Sequence, residues 1–174
     1  MKVLVVVDMQ NDFIDGALGT PEAQAIFPNV VKKVEEYKRN HDFIVYTADT
    51  HFKEEYLMSI EGQKLPVYHC IHNTPGWMIP DEIRMGSQNI VRKFTFGARD
   101  LPDYIASNYI RYGITEIEVI GLCTDICVIS NVMILKARFP NIRITVDSSC
   151  CAGVTPESHQ RALDAMKMCH IDIV

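Results

Sequence analysis

Five consecutive apolar residues, Val3 to Val7, lie directly before Asp8. An uninterrupted apolar run is typical of a strand that is buried on both faces, as in a parallel sheet covered by helices on each side. The run is too short for the core of a signal peptide and far too short to span a bilayer. The start of the chain therefore predicts an inner strand whose carboxyl end carries a carboxylate.

Strand-like and helix-like segments alternate along the rest of the chain, and this alternation predicts an α/β fold with a parallel sheet covered on both faces. Thr20 is the expected N-cap of the first long helix, with Pro21 at its first position. Because Pro28 interrupts that helix, we expect its regular part to begin near Asn29. Residues 49–89 show no sustained periodicity, and loops of that length are usually functional. The remaining strands are predicted at 43–47, 90–92, 116–121, 142–147 and 171–174, and the remaining helices at 100–111, 124–139 and 156–168.

Length and composition limit the class of protein. The 174 residues predict a single domain over 1–174, and 48% hydrophobic with 22% charged residues is an ordinary globular composition. A net charge of −5 argues against a nucleic-acid partner, because phosphate contacts need a basic face. No apolar run approaches membrane length, so we expect no membrane partner and a cytoplasmic location with reduced cysteines.

The six cysteines then have three possible roles, which are packing, metal ligation and nucleophilic catalysis. The C-x3-C spacing of Cys123 and Cys127 and the adjacent pair Cys150-Cys151 do not match the C-x2-C pairs of structural zinc sites. A disulfide framework is not expected. A thiol-redox or zinc-storage protein would use these same pairs, and it stays open as a weaker alternative.

Polar side chains at the predicted strand ends indicate a catalytic site, because ligands of such sheets bind beyond the carboxyl ends of the strands. Cys127 falls in the first turn of a helix if Thr124 or Asp125 caps it, and the positive helix end favours a thiolate there. Asp8 could act as its base and Lys93 as its electrostatic partner. Taken singly, the three residues could equally be a buried inert cysteine, a turn cap and a solvated lysine.

A second group of residues could bind a metal ion. Asp49 and His51 form a D-x-H motif on an extended segment, and His69 follows later in the chain. Imidazole and carboxylate ligands suit zinc, manganese or iron. Glu61 is a possible fourth ligand, as are Glu54 and Glu55. The alternative is a pair of surface histidines with a capping aspartate.

The segment Gly121-Leu122-Cys123-Thr124-Asp125-Ile126-Cys127-Val128 resembles the G-x-x-T-D-x-C-V nucleophile segment of the isochorismatase-like cysteine hydrolases, a superfamily that includes nicotinamidases. Four further segments are similar and follow the same order. They are Val7-Asp8-Met9-Gln10-Asn11-Asp12-Phe13, Asp49-Thr50-His51, His69-Cys70 and Lys93-Phe94-Thr95-Phe96-Gly97. The resemblance covers essentially the whole chain.

The resemblance implies a Rossmann-like three-layer sandwich with a six-stranded parallel sheet. It implies that Cys127 is the nucleophile, that Asp8 takes its proton, and that Lys93 stabilises the thiolate. The backbone N–H groups of Cys123 and Cys127 would form the oxyanion hole, with a cis peptide bond between Leu122 and Cys123. A homodimer or homotetramer is also implied.

The resemblance also implies a divalent metal ion, which in a nicotinamidase would anchor the pyridine nitrogen of the substrate. By this likeness Asp49, His51 and His69 would bind it, with zinc as the first expectation and manganese or iron as alternatives. No further histidine lies between the D-x-H and H-C motifs, so Glu61 is our choice for the fourth ligand. Phe13 is the expected pocket aromatic.

Many nicotinamidases place a tryptophan where this chain has Pro66, which leaves the substrate less certain than the chemistry. Whether Trp77 reaches the pocket stays open. The resulting hypothesis is a cysteine amidohydrolase that converts a small amide, best nicotinamide, to an acid and ammonia through a thioester. A ureido or carbamoyl amidase, a vinyl-ether hydrolase and a catalytically silent binding or scaffold domain are the alternatives.

Overall fold

The protein, described over all 174 residues by a computed structural model, is built on one six-stranded parallel sheet with the order β3-β2-β1-β4-β5-β6. Every neighbouring pair of strands is parallel. The predicted α/β fold is confirmed. The strands are β1 Lys2–Val7, β2 Phe43–Asp49, β3 Ile90–Lys93, β4 Glu116–Leu122, β5 Arg143–Ala152 and β6 Asp172–Ile173.

The apolar run at the start of the chain forms β1 in the middle of the sheet, between β2 and β4. Val3 to Val7 are all 0% exposed, so both faces of this strand are covered. A strand with no solvent face needs no polar alternation, which explains the uninterrupted run of apolar residues.

The helices are α1 Asn11–Ile14, α2 Pro21–Arg39, α3 Lys53–Tyr56, α4 Ile60–Lys64, α5 Asp81–Arg84, α6 Leu101–Tyr109, α7 Ile129–Arg138 and α8 Pro156–Met168. The prediction for α8 is confirmed at both ends, and Thr155 forms a capping box with Ser158 at its start. None of these helices combines the length and the apolar character that crossing a membrane requires.

Two predictions on helices and loops were wrong. Helix α2 begins at Pro21 and runs through Pro28, rather than beginning near Asn29. Thr20 caps the helix, because its Oγ1 accepts from Ala23 N at 3.0 Å, and this stabilises the first turn. The helix then continues through Pro28, although the proline nitrogen has no hydrogen to donate. Residues 49–89 are not one irregular loop, because α3, α4, α5 and a 3₁₀ turn at Pro75–Trp77 lie within them. Each is too short to leave a periodic pattern in the sequence.

The segment after β4 begins as a π-helical turn, Thr124–Val128, before it continues as α7. Neither Thr124 nor Asp125 caps this turn, and Cys123 occupies the N-cap position instead. Thr124 Oγ1 is hydrogen-bonded to His159 Nδ1 at 2.8 Å, and Asp125 accepts from Val154 N at 3.1 Å. These bonds attach the turn to the start of α8. His159 is half-buried in this contact.

Candidate active site

Four neighbouring strands deliver polar groups to one end of the sheet. Asp8 follows β1, Asp49 ends β2 and Lys93 ends β3, while Cys127 lies in the π-helical turn after β4. Asp49 and Lys93 are directly paired in the register of β2 and β3. Residues far apart in the chain thus meet because parallel strands end at the same edge.

Lys93 lies at the centre of this group. Its Nζ atom is 2.8 Å from Asp8 Oδ2, 3.1 Å from Asp49 Oδ1 and 3.4 Å from Cys127 Sγ. Its side chain is only 1% exposed. A single buried ammonium group therefore contacts two carboxylates and the thiol.

Burial and charge shift the titration of all three groups. Burial alone would lower the pKa of Lys93, but its acidic neighbours outweigh this and hold the pKa well above the usual range. Burial, together with the charge of Asp49, raises the pKa of Asp8 despite the opposing effect of Lys93, which makes this carboxylate a better proton acceptor. Burial and the charge of Asp8 also raise the pKa of Cys127. The raised pKa favours the thiol form of Cys127, whereas the helix-end argument favoured a thiolate.

Asp8 is fixed by Thr47, a residue that the sequence analysis did not single out. Thr47 Oγ1 donates to Asp8 Oδ1 at 2.7 Å and accepts from Asp8 N at 3.2 Å. Asp8 Oδ2 accepts no other hydrogen bond besides its ion pair with Lys93. One oxygen is thus held by Thr47, while the other contacts Lys93. A threonine inside the apolar strand Phe43–Asp49 was the available signal.

Gln10 positions Asp49 in a similar way. Its Oε1 accepts from Asp49 N at 2.8 Å, and its Nε2 donates to Asp49 O at 2.9 Å and to Trp77 O at 2.9 Å. Gln10 is fully buried. The end of β2 is therefore clamped to the segment after β1. Gln10 lies within the segment that carried the resemblance, but no role was assigned to it.

Asn131 supports the turn that carries Cys127. Its Nδ2 donates to Cys127 O at 2.8 Å, and its Oδ1 accepts from Ala98 N at 2.8 Å. A buried asparagine four residues after the cysteine, on an otherwise apolar helix face, was the signal for this role. The peptide bond between Leu122 and Cys123 is cis, as the resemblance implied.

Four possible metal ligands converge beside Lys93. One ligand atom from each of Asp49, His51, Glu61 and His69 lies within 4.8 Å of all the others. His51 Nε2 is 2.9 Å from Asp49 Oδ2, and His69 Nε2 is 3.5 Å from Glu61 Oε1. Val67 O accepts from His69 Nδ1 at 2.9 Å, so a neutral His69 presents its lone pair on Nε2. Two imidazoles and two carboxylates at these separations fit a divalent ion.

A cavity of about 370 Å³ opens over these groups. Phe13 is part of its wall, and its ring centroid is 5.5 Å from that of His69. Trp77 does not line it, since its Nε1 donates to Thr50 Oγ1 outside the cavity. Cys123 and Cys127 also line the cavity, and none of the six cysteines of the chain forms a disulfide bond. The lining residues are mostly apolar and comprise Phe13, Leu18, Thr20, Asp49, Glu61, Lys64, Leu65, His69, Phe96, Cys123, Ile126, Cys127 and Val154.

Comparison with known proteins gives consistent matches over the whole chain. The profile of the Isochorismatase domain family matches residues 2–173. The nicotinamidase of Schizosaccharomyces pombe is 23% identical over 204 aligned positions, which cover 98% of this chain and 91% of the relative. The pyrazinamidase of Pyrococcus horikoshii, solved in complex with zinc, superposes with a TM-score of 0.83 at 28% identity, covering 99% of this chain and 98% of the other.

A third match has a different named activity. The N-carbamoylsarcosine amidase of Thermoplasma acidophilum superposes with a TM-score of 0.77 at 27% identity, covering 99% of this chain and 94% of the other. The similar proteins therefore include enzymes named for nicotinamide or pyrazinamide and one named for N-carbamoylsarcosine.

Proposed function

The chain belongs to the isochorismatase family, and from this we propose that it is a cysteine amidohydrolase acting on a small amide, with nicotinamide as the first substrate to test. The observation that carries the proposal is the contact of one buried ammonium group, Lys93, with both Asp8 and the Cys127 thiol beneath a mostly apolar cavity. A nucleophile, a base and a fixed cation are the three parts that acyl transfer through a thioester needs.

In the first half of the proposed reaction, Cys127 Sγ attacks the amide carbon while Asp8 takes the thiol proton. The cation of Lys93 stabilises the negative charge that develops on sulfur. The backbone N–H groups of Cys123 and Cys127 stabilise the carbonyl oxygen. Asp8 then passes the proton to the amide nitrogen, the C–N bond breaks, and ammonia leaves behind a thioester.

In the second half, Asp8 removes a proton from water as the water oxygen attacks the thioester carbon. The C–S bond breaks, and the proton returns to the sulfur of Cys127. One amide and one water thus give one acid and one ammonia. The raised pKa of Asp8 suits both transfers, because the same group must accept and release a proton at near-neutral pH.

We further propose that Asp49, His51, Glu61 and His69 hold a divalent metal ion, with zinc before manganese or iron. A bound ion of this kind acts as a Lewis acid that can fix a lone pair of the substrate. The convergence of four nitrogen and oxygen donors beside the cavity supports this assignment. Phe13 would pack against the substrate from the cavity wall.

An amide that also bears a carboxylate, such as an N-carbamoyl amino acid, is the second candidate. Lys64 lines the cavity and forms no ion pair within the chain, so it offers a cation at the rim. The likeness to an N-carbamoylsarcosine amidase points in the same direction. Lys64→Ala would raise the KM for such substrates and leave the KM for nicotinamide unchanged.

Ammonia release from nicotinamide, pyrazinamide and N-carbamoyl amino acids tests the proposal on zinc-loaded protein. Cys127→Ala should lower the turnover of the best substrate by at least about 10³-fold. Cys169→Ala is the matched control, because Cys169 is an exposed cysteine that ends α8 and does not line the cavity. Equal turnover by Cys127→Ala and wild type, or no ammonia from any amide, would reject the proposed function.

A further inference from the structure

A second cavity, of about 300 Å³, lies beside the edge strand β3. Two arginines line it, Arg84 from the end of α5 and Arg92 from β3, and they are its only charged residues. Trp77 and Gln88 add an indole ring and an amide. The remaining wall is apolar and consists of Ala48, Met78, Ile79 and Ile90.

This cavity lies on the face of the β2–β3 pair opposite to the candidate active site. In the register of β2 and β3, Ala48 pairs with Arg92, and the next pair along is Asp49 with Lys93. Successive side chains of a strand point to opposite faces of the sheet. Arg92 therefore faces away from the catalytic group while its neighbour Lys93 faces into it. The two cavities share no lining residue.

The positive charge in the second cavity is not neutralised by the chain itself. Arg84 donates from Nε to Ser87 O at 2.9 Å, and the guanidinium of Arg92 lies 5.2 Å from the ring centre of Trp77. Neither arginine forms an ion pair. Of the six arginines outside the cavity, Arg99, Arg138 and Arg143 each pair with an aspartate and the other three form no ion pair, in a chain where 22 acidic residues outnumber 17 basic ones.

We propose that this cavity binds the phosphate group of a small molecule. Two guanidinium groups present paired N–H donors that match the oxygens of a phosphate, and charge-assisted bonds of this type are the strong ones. The side-chain amide of Gln88 supplies a further neutral donor. Arg84 is half-buried and Arg92 is exposed, so the cost of a cation without a counter-ion falls mainly on Arg84, and a bound dianion removes it. The volume is sufficient for a small phosphorylated ligand.

Trp77 provides a direct test, because it is the only tryptophan in the chain. Its fluorescence is followed while inorganic phosphate, pyrophosphate or adenosine monophosphate is added at constant ionic strength, with chloride as the blank. We expect a saturable change with at least one phosphate compound and none with chloride. Tighter binding of the nucleotide than of phosphate would identify an organic phosphate as the ligand, and equal binding would identify the phosphate group alone.

Arg84→Gln and Arg92→Gln should each weaken binding by about tenfold or more, since each removes charge-assisted bonds. Arg99→Gln is the control, because Arg99 is a highly exposed arginine outside the cavity and should bind as wild type does. Arg92→Gln also removes the cation beside Trp77, so calorimetric titration measures its affinity without the fluorophore.

Wild-type affinity in the Arg84→Gln/Arg92→Gln double variant, with circular dichroism showing a folded chain, would overturn the proposal. So would the absence of saturable heat with every phosphate compound. These measurements need no amide hydrolysis, so their outcome does not depend on whether the proposed function is correct.

Discussion

The Nζ atom of Lys93 lies 3.1 Å from Oδ1 of Asp49, so the lysine beside the thiol also contacts a carboxylate of the metal-ligand group. The other oxygen of Asp49, Oδ2, is 2.9 Å from His51 Nε2. One carboxylate thus connects two groups of residues that are separate motifs in the sequence. We expect a substitution in either group to affect the other group as well.

Replacing Lys93 with methionine should lower kcat for the best amide by about 10²–10³-fold, because the cation that stabilises charge on sulfur is lost. Lys93→Arg keeps the charge and should restore part of the activity. Steady-state kinetics with circular dichroism on both variants provides the check. A Lys93→Met enzyme that turns over as fast as wild type would exclude an electrostatic role for this lysine.

His69→Ala should reduce zinc retention by about 100-fold, because it removes one of four converging ligands. His41→Ala is the control, since His41 is an exposed histidine at the end of α2. Zinc content after dialysis against a weak chelator, measured by mass spectrometry, decides the point. Stoichiometric zinc in His69→Ala would remove His69 from the ligand set.

Gly121→Ala should destabilise the fold by more than about 4 kcal/mol or prevent folding. Gly121 has φ +122°, and a Cβ there would overlap the carbonyl oxygen of Val7 and lie 2.8 Å from its nitrogen. Gly86→Ala is the control, because Gly86 has φ +76° with no atom within 4 Å, and should cost only about 1–2 kcal/mol. Urea unfolding compares the two, and similar losses would disprove the steric argument.

Lys33→Met should destabilise the protein by about 1–3 kcal/mol at pH 7, because Lys33 Nζ is 2.7 Å from Glu118 and 2.9 Å from Asp147 in a largely buried cluster. Burial tends to raise the pKa of Asp147, but the hydrogen bonds from Lys33 and Ser149 outweigh it and lower the pKa. A lowered folded-state pKa gives stability that is complete above the unfolded value, about 4, and is lost as the pH falls through the folded value.

The difference between wild type and Lys33→Met should therefore shrink below about pH 4. Urea unfolding at pH 7, 5 and 3.5 measures it. Lys32→Met serves as the control, since Lys32 is exposed and forms no ion pair. A difference that stays constant with pH would show that packing of the methylene chain, and not the charge, is responsible.

Local pattern was enough to predict the strands and most long helices, because burial on both faces leaves an unbroken apolar run such as Val3 to Val7. It could not predict the clamp formed by Gln10, since a glutamine after a strand looks the same whether it is solvated or buried. The local pattern also predicted that β5 ends at Asp147, because the serines that follow are polar. In the structure the strand continues to Ala152. These features depend on contacts between distant segments, which one-dimensional periodicity does not record.

The order of strands in the sheet has a consequence for synthesis on the ribosome. A nascent chain that ends after β3 already holds Asp8, Asp49 and Lys93, yet it lacks Cys127. Until β4 emerges, one edge of the apolar central strand β1 has no partner. An unpaired apolar edge is a site of aggregation, so the growing polypeptide needs protection by chaperones at least until β4 has been translated.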